Sequence, residues 1–181
     1  IYKKHLGVIL CTSIKEIKST SIMQENYISL VKSDNPQEIT NFYQKMGRNS
    51  IKKTTVQNWI NKGFECFLIY EHETVIGGTW IFKNEFEIKQ LSGRTLSKNK
   101  KIKFDEDAVY KCYTIIEPNY RGKGLNQFLI KELLNYYSNS NYNKLIAITG
   151  ANNGSYIRST MKCGGTLIGI VQIRNILGLV R

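Results

Sequence analysis

The chain has 181 residues, 41% of them apolar, with 26 Lys and Arg against 14 Asp and Glu, so the net charge is +12. This length and apolar share predict one domain over residues 1–181, with residues 1–20 as a possible N-terminal extension, and exclude wholesale disorder. No apolar run approaches the roughly 20 residues that a membrane-spanning helix needs, and the net charge predicts affinity for anions.

The first predicted elements are a strand, two helices and a hairpin. Residues 25–34 have the pattern of a strand that ends in turn residues. The run 35–47 predicts a helix with Asn35 as N-cap, and the run 52–63 predicts a second helix. Residues 64–84 contain two apolar runs around a polar turn, which predicts a β-hairpin.

The second half predicts strands alternating with helices, after a long polar segment at 84–104. Such a length exceeds ordinary connections and is typical of a functional or mobile loop. Strands are predicted at 108–116, 143–149 and 165–173, and helices after Gly124 and over 152–165. A hairpin followed by βαβ crossovers predicts the α/β (α+β) class, with a mixed central β-sheet flanked by helices.

Four cysteines and a lysine-rich segment bear on metals, compartment and nucleic acid. The cysteines are widely spaced and the chain has only 2 His, so the pattern predicts no metal site. Cys66 and Cys112 lie inside apolar runs, where a free Cys packs as a small hydrophobe, and this favours reduced thiols and a cytoplasmic location. Residues 97–103, SKNKKIK, lack interleaved aromatics, which indicates a solvated loop and makes nucleic acid an unlikely partner.

The stretch NYRGKGLNQF, residues 119–128, connects a predicted strand to a predicted helix. A G-x-G pair alone is expected about once by chance in a chain with 14 Gly, but Arg121 before it makes the combination rarer. Free N–H groups and the helix dipole attract an anion at such a junction, and glycine lets the backbone approach it closely. The spacing excludes a Walker loop, and Gln127 excludes the third glycine of a dinucleotide fingerprint.

The segment TIIEPNYRGKGLNQFLIKELL resembles the acyl-CoA-binding segment of the GNAT superfamily of N-acetyltransferases. That family places Gln or Arg, then Gly three residues later, then Gly or Ala two residues after that. A weaker likeness extends over residues 26–175, and the C-terminal part also resembles acetyltransferases associated with bacterial surface-polysaccharide biosynthesis. The first motif maps onto Arg121, Gly124 and Asn126, and the similar second segment, NNGSYIRSTMKCGG, maps onto Asn153, Arg158, Lys162 and Gly164.

Three positions depart from the family pattern. Asn126 stands where the family has Gly or Ala, Gly165 where Phe is usual, and Thr160 where the family has an acidic Tyr. Threonine has no accessible pKa and cannot easily donate a proton to a thiolate. Tyr156, four residues before Thr160 on the same helical face, is a candidate general acid in its place. The alternative is a packed aromatic with its hydroxyl at the surface.

The resemblance implies a site for acetyl-CoA as co-substrate on the turn and the preceding strand. The turn amides would hold the pyrophosphate, and the pantetheine arm would pair with the strand at 113–117 as an added strand does. A strand N–H would polarise the thioester carbonyl. The implied cofactor-binding residues are Thr114, Ile115, Ile116, Arg121, Gly122, Lys123, Gly124, Leu125, Asn126 and Asn153.

The implied function is an N-acetyltransferase that moves an acetyl group from acetyl-CoA to a primary amine by direct attack in a ternary complex. The implied acceptor is a small molecule or amino-sugar, and the net charge suits an anionic or nucleotide-linked one. The general base stays open. Its candidates are Glu65, Tyr113, the run Asp105–Asp107, a water relay or no dedicated base.

Two other functions stay open. A catalytically weak acyl-CoA-binding module is favoured by Thr160 and Asn126. A basic nucleic-acid-binding protein is favoured by the net charge alone and predicts binding that weakens steeply with salt. The apolar C-terminal segment IRNILGLVR suits pairing with another chain, as in a homo-oligomer, or with another domain.

Overall fold

The computed structural model describes residues 3–15, 27–87, 101–103, 105–176 and 179–180. The strands in these ranges are β1 Lys3–Ser13, β2 Ile28–Ser33, β3 Glu65–Glu71, β4 Thr74–Lys83, β5 Glu85–Glu87, β6 Lys101–Lys103, β7 Ala108–Ile116, β8 Lys144–Gly150, β9 Thr166–Ile176 and β10 Leu179–Val180. The helices are α1 Pro36–Lys45, α2 Lys53–Asn61, α3 Leu125–Tyr137 and α4 Gly154–Lys162, with a 3-10 turn at Pro118–Tyr120.

The described strands form one large mixed sheet and a small ribbon. The large sheet has 8 strands in the order β10-β9-β1-β8-β7-β4-β3-β2. Strands β7 and β8 are parallel, and the other neighbouring pairs are antiparallel. The predicted mixed sheet with flanking helices is therefore confirmed. No helix in the described ranges is long and apolar enough to cross a membrane.

Strand β1 lies inside the sheet, although residues 1–20 were expected to be a possible extension. It pairs with β8 on one side and β9 on the other, with Cys11 opposite Ile146 and Gly7 opposite Val171. Leu10 on this strand is fully buried. The local pattern missed the strand because both of its partners are distant in the chain and no adjacent turn marks the pairing.

The long polar segment is described only at its two ends. There β5 and β6 pair as an antiparallel ribbon, with Phe86 opposite Ile102. Most of SKNKKIK lies outside the described residues, and so do the side chains of the C-terminal apolar segment. The backbone of that segment pairs within the sheet, with Asn175 opposite Lys3 and Val180, and its expected pairing with another chain or another domain stays a prediction.

The two faces of the sheet are covered by different helices because its side chains alternate between the faces. On one face, Leu129 and Leu133 of α3 pack in a cluster with Val109 of β7. On the other face, Tyr43 of α1 and Trp59 of α2 pack in a second cluster around the sheet. The alternation is the period of two that extended strands impose.

Local sequence explains where α1 begins. Asn35 precedes it, and its side-chain oxygen accepts hydrogen bonds from the backbone N–H groups of Gln37 and Glu38 at 3.0 and 3.3 Å. Pro36 occupies the first helical position, where its missing N–H costs nothing. The predicted N-cap is confirmed.

Candidate functional site

Strands β7 and β8 are paired over only part of their length. The register runs from Ala108 opposite Lys144 to Lys111 opposite Ala147, and both strands then continue. Residues 108–111 of β7 are buried on this paired half, whereas residues 112–116 are half-buried. The parallel pair therefore separates towards its carboxyl end and leaves an edge of β7 open there.

A β-bulge lies in β7 close to the point where the two strands separate. The pairing of β7 with β4 shifts between Gly78 and Trp80, so that Thr79 faces two residues, Tyr113 and Thr114. Tyr113 has φ +50°, a conformation that costs a non-glycine residue about 1–3 kcal/mol. Such a bulge redirects the strand end and its backbone groups.

Buried side chains hold the bulge in place. The Thr79 hydroxyl donates to the carbonyl oxygen of Cys112 at 3.0 Å and lies 2.8 Å from the Thr114 hydroxyl. The Tyr43 hydroxyl donates to the carbonyl oxygen of Tyr113 at 3.0 Å. Because Thr79 and Tyr43 are themselves buried, the unusual backbone is fixed by the fold.

The turn after β7 presents unpaired backbone donors at the start of α3. Gly122 and Gly124 have φ +79° and +81°, and Gly124 is the N-cap of the helix without a side-chain cap. Among the described backbone hydrogen bonds, the N–H groups of residues 122–126 donate to no carbonyl. Consecutive free N–H groups at the positive end of a helix form an anion-binding site.

The two basic residues of the turn, Arg121 and Lys123, make different contacts. Arg121 donates from Nε to the carbonyl oxygen of Ile116 at 2.9 Å, which fastens the turn to the end of β7. The Lys123 ammonium lies 5.0 Å from the centre of the Tyr120 ring, and the Tyr120 hydroxyl donates to the carboxylate of Glu71. The positive charges therefore stay close to the free N–H groups.

A cavity of about 380 Å³ lies between the end of β7, the turn and α4. The predicted site residues that line it are Thr114, Ile116, Arg121, Gly122, Gly124, Leu125, Asn126, Asn153 and Tyr156. Ile115 and Lys123 are not among the lining residues. The lining also includes residues for which no role was predicted, namely Tyr120, Gln127, Ser155, Arg158, Ser159 and Lys162.

Helix α4 brings its own polar groups to the cavity. Its N-cap Asn153 accepts from the N–H of Tyr156 at 3.4 Å and donates from Nδ2 to the Thr149 hydroxyl at 3.0 Å. Arg158 and Lys162 are four residues apart and so share one helical face. In the sequence, two basic residues at this spacing on a predicted helix could have indicated that α4 also helps to bind an anion.

Thr160 and Gly165, two of the positions that differ from the family pattern, are close to each other in the structure. Thr160 is 4% exposed, does not line the cavity, and donates to the carbonyl oxygen of Tyr156 at 3.0 Å. A Cβ atom at Gly165 would lie 2.6 Å from the Thr160 methyl and 3.0 Å from the Thr12 hydroxyl. A bulky residue at 165 would therefore clash, and Thr160 fills the contact between α4 and β1.

Asn126, the third position that differs from the family pattern, forms hydrogen bonds with two side chains. Its side-chain oxygen accepts from Nζ of Lys111 at 3.1 Å, and its Nδ2 donates to the Ser159 hydroxyl at 3.0 Å. Lys111 is 1% exposed, and burial lowers its pKa to about 7. Its ammonium lies 4.9 Å from the centre of the Tyr156 ring. No role was predicted for Lys111, because one lysine within an apolar strand gives no signal of burial.

Tyr156, the predicted acid, lies in the cavity wall with a weakly acidic hydroxyl. Burial raises the pKa of Tyr156 above its usual range, and nearby Cys112 acts in the same direction. A hydrogen bond with the Thr114 side chain opposes this shift. The phenol is therefore protonated at neutral pH and can donate a hydrogen bond.

Glu65, one candidate base, does not line the cavity and lies on β3, two strands away from β7. It is at the start of β3, where its carboxylate is bound by Lys32 at 2.7 Å, by Lys83 at 3.0 Å and by the Tyr137 hydroxyl. Lys83 in turn pairs with Val109 at the beginning of β7. Glu65 therefore supports the fold at a distance from the open end of β7.

The other candidate bases are also poorly placed or weakly acidic. Asp105 and Asp107 precede β7 and bind Lys144 at 2.8 and 3.2 Å, again at the end away from the cavity. Tyr113 is adjacent to Thr114, but burial raises its pKa above its usual range. The described residues that line the cavity include no carboxylate. Nowhere in the described ranges do three His, Cys, Asp or Glu side chains group as a metal site requires.

Comparison with known proteins identifies the family. Residues 34–165 match the model of the acetyltransferase (GNAT) family, and the chain belongs to this family. A sequence search of curated proteins found no significant match. The predicted family and its fold class are confirmed.

Solved structures show the same fold at low sequence identity. The glucosamine N-acetyltransferase region of a fungal multi-domain GH3 β-N-acetylglucosaminidase is similar, with a TM-score of 0.65 and 12% identity over 96% of this chain and 21% of its own. A putative acetyltransferase from Salmonella typhimurium, solved with acetyl-CoA, has a TM-score of 0.58 and 17% identity over 80% of this chain and 82% of its own.

An aminoglycoside acetyltransferase from an uncultured soil metagenomic sample, solved with trehalose, also shares the fold. Its TM-score is 0.56 and its identity 12%, over 77% of this chain and 88% of its own. Several other matched structures are much longer than this chain, which spans 52%, 61% and 56% of three of them.

Proposed function

We propose that the chain is an acetyl-CoA-dependent N-acetyltransferase that acts on a primary amine of a small molecule or amino-sugar. The observation that carries this proposal is the cavity. The cavity extends from the free N–H groups of residues 122–126 to the open edge of β7. A single ligand can therefore place an anionic group at the turn and an extended segment along the strand. Acetyl-CoA has both, as a pyrophosphate and a pantetheine arm with amides.

The residues of the chain fit such a ligand in three places. The turn amides and Arg121 suit the pyrophosphate, because their partial and full positive charges converge there. The backbone of Thr114 to Ile116 suits the pantetheine amides as an added strand. Arg158 and Lys162 on α4 add positive charge along the same cavity. When bound, acetyl-CoA supplies an activated acetyl thioester.

The chain's main contribution to the reaction is positioning. A β7 N–H near Thr114 is suited to polarise the thioester carbonyl, and the bulge at Tyr113 directs the backbone there. Holding the two reactants in a productive geometry can lower the barrier by roughly 7–11 kcal/mol.

Tyr156 is suited to stabilise the departing sulfur by a hydrogen bond. A phenol with a raised pKa keeps its proton next to a thiolate, whose ordinary pKa is roughly 8.5 for cysteine. Tyr156 would therefore donate a hydrogen bond to the sulfur and keep its proton, instead of transferring the proton as a general acid. Because no carboxylate is among the described lining residues, the amine would lose its proton to water.

The acceptor class is supported by two of the compared structures and by the net charge. Two of the structures that share the fold are named for glucosamine or aminoglycoside acetylation, and both acceptors carry amino groups on sugar rings. The net charge of +12 favours an anionic acceptor, such as a nucleotide-linked amino-sugar of the kind used for surface polysaccharides.

Calorimetry with acetyl-CoA, followed by a thiol-release assay with a panel of amines, tests the proposal. We expect binding, and thiol release stimulated by amino-sugars above amino acids, polyamines and peptides. Binding without any amine-stimulated release would favour the acyl-CoA-binding module, which the missing family Tyr and the absence of a described cavity carboxylate favour. Absence of binding, with salt-dependent capture of nucleic acid instead, would contradict both.

A further inference from the structure

The buried ammonium group of Lys111 has no counter-ion among its described neighbours. It is the last residue of β7 that pairs with β8, is 1% exposed, and lies behind Asn126 and Tyr156, which line the cavity. Its contacts are the side-chain oxygen of Asn126 at 3.1 Å and the face of the Tyr156 ring at 4.9 Å. The ion pairs formed by the described carboxylates all involve other lysines. A buried charge without a counter-ion is costly, so this placement needs a reason.

The surroundings of Lys111 are already positive. Asn126 is the second residue of α3, so the Lys111 amine that it binds lies near the positive end of that helix. The titratable groups that face it are Tyr156 on α4 and Cys163 just after α4. Burial raises the pKa of both, so both are neutral near pH 7. An anionic ligand on the turn would therefore be the first negative charge near Lys111 among the described groups.

We propose that Lys111 is a positioning residue of the acetyl-CoA site, which acts through Asn126 and Tyr156 and takes up a proton when an anion occupies the turn. This inference rests on the proposed function. In the free protein, burial holds the pKa of Lys111 at about 7, so the amine is mostly neutral at pH 8. The negative charge of a bound pyrophosphate favours the ammonium form and raises that pKa.

The charged state would order the first turn of α3. A protonated Lys111 can only donate, so it requires the oxygen of the Asn126 amide to face it and leaves the amide N–H₂ for Ser159. The same ammonium would also hold the Tyr156 ring by a cation–π contact. Asn126 would therefore replace the family's Gly or Ala with a side chain that links β7, α3 and α4.

Calorimetry at pH 8 in two buffers of different ionisation enthalpy measures the proposed proton uptake. Acetyl-CoA is the ligand, and the proteins are the wild type, Lys111→Met, Lys111→Arg and the control Lys83→Met. Lys83 is partly buried on β4, opposite Val109 of β7, and binds Glu65, so its loss tests whether removing any part-buried lysine has the same effect. Circular dichroism establishes that each variant is folded.

We expect the wild type and Lys83→Met to take up about 0.4 proton per acetyl-CoA bound at pH 8, because a pKa that rises by about one unit, from about 7, takes the amine from about one-tenth to about one-half protonated. Lys111→Met should show none of this proton uptake and should bind about twofold more weakly, which is the factor that the same pKa rise contributes at pH 8. Lys111→Arg should also take up none, because arginine is always charged, yet it should bind more tightly than the methionine variant.

Three results would overturn the inference. The first is wild-type binding without proton uptake, a result that needs no variant. The second is the same uptake in a folded Lys111 variant as in the wild type, and the third is an equal loss of uptake in Lys83→Met. If the wild type does not bind acetyl-CoA at all, the proposed function fails and this inference fails with it.

Discussion

The two ends of strand β7 differ in whether their polar groups have hydrogen-bond or ion-pair partners. At its beginning, β7 is paired on both edges, and the nearby carboxylates of Glu65 and Asp107 are bound by lysines. At its end, the edge towards β8 is open, Tyr113 has a left-handed backbone, and the following turn has free N–H groups. The first end has the features of a stable fold and the second those of a ligand site.

This contrast shows where the fold tolerates unfavourable local structure. An unpaired strand edge, an unusual φ and a buried lysine each cost stability, and such features collect at functional sites when the surrounding structure is firmly held. The bulge is anchored by Tyr43 and Thr79, which are both buried. The contrast predicts that changes at the open end reduce binding or turnover, and that changes at the paired end reduce stability.

The largest expected effect is on cofactor binding at the turn. We expect Gly124→Trp to weaken acetyl-CoA binding by about 100-fold or more, because the side chain displaces the phosphate from at least two charge-assisted hydrogen bonds. Its control is Gly63→Trp, since Gly63 has φ +77° against +81° for Gly124 and neither has an atom within 4 Å of an added Cβ. Equal affinities of the two variants would place the phosphate elsewhere.

A smaller effect is expected on turnover at the cavity wall. Tyr156→Phe should lower kcat about tenfold, because one hydrogen bond to the departing sulfur is lost, while the ring still contacts Lys111. The affinity for acetyl-CoA should stay within about twofold. Tyr142→Phe, at the paired end next to Lys83, is the matched control. An unchanged kcat and pH profile in Tyr156→Phe would remove Tyr156 from the mechanism.

The smallest effect is expected on stability at the paired end. Burial alone would raise the pKa of Glu65, but hydrogen bonds from Lys32, Tyr137 and Lys83 outweigh it, and the pKa is lowered. The carboxylate thus contributes stability above its unfolded pKa of roughly 4.3, and this is lost as pH falls through the lower folded pKa.

Glu65→Gln should therefore reduce the free energy of unfolding by about 1 kcal/mol at pH 7, since both lysine partners are partly solvated. Urea denaturation at pH 7 and pH 3 measures the difference, which should narrow in acid. A loss of acetyl-CoA affinity in this variant would contradict the separation of the two ends.

Sequence alone predicted the parts of the molecule that depend on local signals. The Asn35 cap, the hairpin, strand 108–116 and the helix after Gly124 follow from capping residues, turn residues and apolar periodicity, and all are found in the structure. The turn at 121–126 was predicted for the same reason, because glycine, basic residues and a helix start are adjacent in the chain.

The features that were missed depend on contacts between distant residues. Strand β1 pairs with residues near 146 and 171, so no turn close to it in the sequence predicts the pairing. Lys111 is buried because α3 and α4 cover it, and neither helix is adjacent to it in sequence. The location of Glu65 and Asp107 away from the cavity likewise depends on strand order, which residue type does not reveal.

The amide chemical shifts of residues 122–126 test the central claim most directly. In an ¹H–¹⁵N spectrum of the labelled protein, titration with acetyl-CoA should move these five amide signals downfield, as expected for N–H groups that gain an anionic acceptor. The amide of Gly63 should not move. Binding that leaves residues 122–126 unchanged while other amides shift would contradict the assignment of this turn as the phosphate site.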